Sequence, residues 1–160
     1  MNTKLLSRAG VSTALIFAVT RFLQIPIPLG YFNVGNAVIF LTGLLLPMPY
    51  AVFAASVGSA LADLTSYPAY TLPTLLIKGA MVLLFCFLTG KKPTLRRGAA
   101  AAALSGLVPL VLYTAVGAFL FGGFAAGLAQ LPGLFLEYAA NLLLFLFLFP
   151  PVMRLRERLP

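Results

Sequence analysis

Leu72–Arg97 reads LPTLLIKGAMVLLFCFLTGKKPTLRR. From Leu72 to Gly90 the run carries one charge, Lys78, and four basic residues, Lys91, Lys92, Arg96 and Arg97, follow at once. An apolar helix of about 20 residues spans the hydrocarbon layer of a bilayer. A Lys/Arg cluster beside it marks a cytoplasmic loop. Lipid is the solvent that accounts for this stretch, and the remainder of the chain conforms to it.

The 160 residues are 61% hydrophobic and 9% charged, with a mean hydropathy of +1.03. Soluble domains are about half apolar and about a quarter charged. The length supports a single domain over residues 1–160. His is absent, Cys86 is the only cysteine, and the acids are Asp63, Glu137 and Glu157. This composition excludes His or multi-Cys metal sites, Ser-His-Asp and Cys-His catalysis, and an internal disulfide. Asp63 and Glu137 could still act as paired carboxylates, but no recognisable catalytic set accompanies them, so an enzyme is not expected. No phosphate-binding G-x-x-x-x-G-K-[ST] loop occurs, and no cofactor or metal is expected.

Six apolar spans emerge: Ala9–Ile25, Asn33–Leu46, Pro49–Leu64, Leu72–Gly90, Ala101–Phe121 and Leu131–Phe149. Between them stand Pro26-Ile27-Pro28, Pro47-Met48-Pro49, Tyr67-Pro68, the basic run, Gly122-Gly123 and, after the last, Pro150-Pro151. The fold class is an all-α integral membrane bundle of six transmembrane helices. The second and third spans are short, so a recess roofed by loops is expected above them. Lys4 and Arg8, the Lys91–Arg97 cluster, and Arg154, Arg156 and Arg158 all fall on one face. The opposite loops, residues 26–32, 65–71 and 122–130, hold no Lys or Arg. Both termini are therefore expected in the cytoplasm. The first span also has the outline of a signal peptide, but Arg21 stands where a small-residue cleavage site should follow. The basic clusters read as topology signals rather than a nucleic-acid surface, because no aromatic interleaving accompanies them.

Four charges remain: Arg21, Asp63, Lys78 and Glu137, all placed in the outer half of the bilayer. Ionisable groups at that depth must face inward and pair, or line a wet cavity. Arg21 is a candidate ion-pair partner. Thr71, Thr74 and Lys78 share one helical face, as do Gly133, Glu137 and Asn141, and Ser56, Ser59 and Asp63. Tyr113 lies in the outer half of the fifth span, one turn above a kink expected at Pro109. The outer loops add Tyr31, Asn33, Asn36, Tyr67 and Tyr70. A few polar groups converging in an apolar recess describe a small-molecule site. The candidates are Asn33, Asn36, Asp63, Tyr67, Tyr70, Thr74, Lys78, Tyr113, Glu137 and Asn141. A structural ion-pair network is the competing reading of the charges. Lys78→Met is expected to weaken binding with folding intact. The inner halves of the fourth and sixth spans, GAMVLLFCFLTG and LLLFLFLF, offer nothing to an ion path. The chain looks able to capture a solute but not to move it alone. On the first span Gly10, Ala14 and Ala18 form a small-residue stripe suited either to a partner helix or to internal packing; for Gly58 and Ala62 on the third, internal packing is favoured.

These features, with FNVGNAVIFLTGLLLP and GSALADLTSYPAYTLPTLLIKG, resemble the substrate-binding S component of energy-coupling factor (ECF) vitamin transporters. The resemblance covers nearly the whole chain and points to the riboflavin-type or pyridoxine/hydroxymethylpyrimidine-type branch. It implies a subunit that binds a vitamin from outside and delivers it through a coupling transmembrane subunit driven by two ATPases. Ala14 and Ala18 match the stripe that contacts the coupling subunit, and Asp63 and Lys78 match the family's SALADL and IKG segments. Asn36 stands where relatives often carry Asp. Vitamin B6 or hydroxymethylpyrimidine is the favoured ligand, riboflavin the alternative, and a solitary secondary transporter or facilitator the competing function.

Overall fold

A computed structural model describes residues 3–27 and 30–158. Six α-helices form the bundle: α1 Thr3–Phe22, α2 Gly35–Leu45, α3 Met48–Ser66, α4 Thr71–Thr89, α5 Leu95–Leu120 and α6 Phe124–Arg158. Two short strands, β1 Ile25–Ile27 and β2 Gly30–Phe32, pair antiparallel where a plain loop was expected. A 3-10 turn, Pro68–Tyr70, joins α3 to α4.

Among the described residues, four helices are long and apolar enough to cross a membrane: α1, α5, α6 and α4 with its preceding turn. With 11 residues, α2 reaches about 16 Å, short of a hydrocarbon layer of about 30 Å, as its short apolar run predicts. Its N-terminal amides are satisfied from within the bundle. Gly35 N donates to Asn33 Oδ1 at 2.7 Å and Ala37 N to Asn141 Oδ1 at 2.8 Å. A helix can begin in lipid only where such partners exist. By contrast α3 is longer than expected, 19 residues, gaining Met48 at its start and Thr65 and Ser66 at its end, with Pro49 in its first turn, where a missing N–H costs nothing.

Two other boundaries moved. The expected outer loop over residues 122–130 shrinks to a tight turn at Gly122 and Gly123, with φ of 88° and 129°, and α6 starts at Phe124. Positive φ is where glycine outperforms every other residue. Pro150-Pro151 was expected to end the last helix, but α6 runs through to Arg158. Val152 and Met153 pack on the core, and the Arg156 guanidinium donates to the Lys91 carbonyl at 3.3 Å. Those contacts offset the two amides lost to proline. They also bring two of the basic clusters to one end of the bundle.

Large side chains such as Phe87, Phe119 and Phe147 point outward and are more than three-quarters exposed, at 77%, 85% and 76%. In water such a surface is an aggregation hazard, whereas in a bilayer it is the lipid-facing coat. The half away from the hairpin is filled by Phe40, Phe85, Phe145 and Phe149, whose rings pack tilted or edge-to-face with centroids 5.0–5.7 Å apart. Met81 and Val82 complete this plug, both fully buried.

Helix α1 lies against α3 at Gly58, where a Cβ would meet the Thr13 carbonyl at 2.7 Å and Ile16 at 3.1 Å. The internal-packing reading of this glycine therefore holds. Gly58→Val should push the helices apart and lower stability by about 1–3 kcal/mol. Thermal melting of the detergent-purified protein checks this, and an unchanged midpoint would show that α1 packs loosely.

Candidate ligand-binding recess

The hairpin, the 3-10 turn and the adjoining ends of α3, α4, α5 and α6 enclose a recess of about 490 Å³, measured to its open mouth. Its upper wall is a chain of hydroxyls gathered on one carboxylate. Asp63, one turn before the end of α3, accepts from the hydroxyls of Tyr31 in β2 and Thr74 in α4. The Thr74 and Tyr113 hydroxyls are 2.7 Å apart. Asp63 thus ties the hairpin to α4 and, through Thr74, to α5. Burial, and then the neighbouring Asp63 carboxylate, push the Tyr31 phenol well above its usual range, so it stays a donor. The Tyr31 and Tyr67 rings lie 5.4 Å apart, forming an aromatic rim.

The floor is an ion pair bridged by an amide. Lys78, about two turns into α4, places Nζ 4.0 Å from Glu137 Oε1 and 2.7 Å from Asn36 Oδ1. Asn36 Nδ2 donates to the same Glu137 oxygen at 3.1 Å, and Asn33 Nδ2 does so at 3.4 Å. Lys78 also sits over the Tyr113 ring at 5.1 Å. An ammonium and a carboxylate so placed satisfy each other in a medium that would not tolerate either alone.

Of the ten residues expected at the site, eight line the recess: Asn33, Asp63, Tyr67, Tyr70, Thr74, Lys78, Tyr113 and Glu137. Asn36 lies behind the floor, on a smaller chamber of about 210 Å³ shared with Pro109 and Tyr138. Asn141 is spent on backbone: besides Ala37, it donates to the carbonyls of Asn33 and Glu137 at 2.7 and 2.8 Å. Arg21 is not part of the ion pair and instead stacks over Phe22 at 5.9 Å. Gly10 and Ala14 face away from the bundle and Ala18 is half-buried; nothing lies within 4 Å of where a Gly10 side chain would begin. Thr20, Gln130 and Leu134 also line the recess and were not foreseen. Gln130 continues the stripe of Gly133, Glu137 and Asn141 by one turn. It was hidden because the sequence placed the start of that helix at Leu131.

The family model described as ECF-type riboflavin transporter, S component, matches residues 1–146. The chain belongs to that S-component family. Among similar proteins is an uncharacterised protein in a gap 3' region of Pyrococcus woesei, 34% identical over 109 residues, or 67% of this chain and 74% of that one. The solved S component of a bacterial ECF transporter superposes with a TM-score of 0.77 over 97% of this chain and 98% of its own, at 14% identity. That likeness carries the fold. As an S component the chain is a membrane-embedded, substrate-binding subunit of a transporter in a prokaryotic plasma membrane, and not an enzyme.

Proposed function

We propose that this S component captures a small aromatic vitamin from outside and hands it to an ATP-driven module, a coupling transmembrane subunit with two ATPases. The carrying observation is the contrast along the bundle axis. Aromatic and polar groups converge at one end, and the packed phenylalanines close the other. Such a chain can hold a solute and has no route to pass it on. The recess then faces outward and both termini face the cytoplasm, because the basic clusters of the α4–α5 loop and the α6 end meet at the plugged end. The whole chain acts as one domain. The exposed Gly10 and Ala14, with Ala18, supply the face on which the coupling subunit docks.

Pyridoxine or hydroxymethylpyrimidine is the favoured ligand. One heterocyclic ring bearing hydroxyls fits a compact recess with a bridged ion pair below and tyrosines above. Riboflavin is the second reading, favoured by the description of the matching family model. Mass spectrometry of small molecules retained by the purified protein decides between them. Vesicles containing the chain alone should show no uptake of the retained vitamin, and co-expression with a matching coupling module should restore it. Robust uptake by the chain alone without ATP would instead establish a solitary transporter.

A further inference from the structure

Buried polar side chains nearly always find a partner, so those that do not point to a position held for something else. Among the described residues, Thr20, Ser59, Thr71, Thr89 and Gln130 each hold a buried polar atom without one. Of these five, only Thr20 and Gln130 line the recess. They are 3% and 4% exposed.

Both are held in place by built surroundings. Gln130 Oε1 accepts from the Tyr70 hydroxyl at 3.1 Å, which sets the plane of the amide and leaves Nε2 unpaired. The amide occupies the space over Gly117 on α5, and a Cβ at that position would overlap Nε2. Tyr70 is in turn held edge-on by Tyr113, with centroids 5.9 Å apart. Thr20, in the last turn of α1, lies against Gly35, where a Cβ would likewise overlap its hydroxyl. Two glycines from different helices thus open room for two polar groups that have nothing to bond.

We propose that Gln130 Nε2 and Thr20 Oγ1 contact the ligand directly. On this assignment the solute is a heterocycle carrying a neutral hydrogen-bond acceptor, a ring carbonyl or an unprotonated ring nitrogen, at the edge facing the start of α6. The charged pair at the floor is already internally satisfied, so this edge is read by hydrogen bonding rather than by charge. A solute lacking the acceptor leaves Nε2 buried and unpaired, which is the strongest form of rejection a polar site offers. The inference rests on the solute-capture function above.

The experiment measures binding of pyridoxine, hydroxymethylpyrimidine and riboflavin, each by equilibrium dialysis against the purified protein. Gln130→Glu keeps an oxygen for Tyr70 and removes the free donor. Thr20→Val removes the hydroxyl at constant shape. Ser59→Ala removes an unpaired buried hydroxyl away from the recess. For the vitamin that binds, Gln130→Glu should weaken affinity about tenfold or more and Thr20→Val severalfold, with Ser59→Ala unchanged. Wild-type affinity in both recess variants, or an equal loss in Ser59→Ala, overturns the assignment. If ligand-free Gln130→Glu melts early, Thr20→Val decides alone. Should the unsubstituted protein bind none of the three, the vitamin reading fails and this assignment falls with it. Binding without sensitivity to Gln130 or Thr20 sinks the assignment only.

Discussion

Lys78→Met should abolish vitamin binding and also lower stability by about 3 kcal/mol or more. The sequence alone suggested intact folding for this variant, and the geometry says otherwise. Lys78 is 4% exposed, and its ammonium is the counter-charge to Glu137 and the donor to Asn36 Oδ1. Methionine fills the same space but strands a buried carboxylate, and breaking one side of a buried pair costs about 3–5 kcal/mol. The decisive variant is therefore the double one. Lys78→Met with Glu137→Gln removes both charges, and the amide oxygen that replaces the carboxylate can still accept from Asn33 and Asn36. Its melting midpoint should recover most of the loss, while binding stays absent. If the single variant melts like the natural protein, the pair contributes no stability. If the double variant binds normally, the pair is scaffold and the ligand is held elsewhere.

Gly10→Leu should reduce uptake to near background in cells that also carry a coupling module, with vitamin affinity and melting unchanged. Nothing lies within 4 Å of the position a Gly10 side chain would take, and neighbouring Val11 and Leu15 are 70% and 51% exposed. A leucine Cβ there meets no atom within 4 Å, and leucine improves helix propensity by somewhat less than the glycine penalty of about 1 kcal/mol. Any loss of uptake must come from a partner helix that needs close approach on that stripe. Uptake at the natural level would place the docking face elsewhere on the bundle. A fall in affinity would mean that α1 communicates with the recess through Thr20, one of its lining residues.

The two glycine stripes show why the sequence left their uses open. Gly10-Ala14-Ala18 and Gly58-Ala62 have the same small-residue spacing, and spacing specifies close approach without saying to what. The fold separates them: Gly58 meets Thr13 and Ile16 of α1, and Gly10 faces outward. Asn141 makes the same point in the site. Its place on a helical stripe with Glu137 was legible, but its use was not. Only the three-dimensional arrangement shows it bonding the first turn of α2.

Membrane residence, the apolar plug, the brevity of α2 and eight of the recess-lining residues were present in the sequence itself. Each follows from a local quantity: the length of an apolar run, the placement of scarce charges, or the helical period. Which charges pair, which asparagines serve backbone, and how far α6 extends were settled by tertiary structure. Those outcomes depend on groups far apart in the chain. Asn36 and Glu137 meet across 101 positions and Arg156 reaches Lys91 across 65. In a medium without water to satisfy a stray polar group, such distant partners decide where every buried one comes to rest.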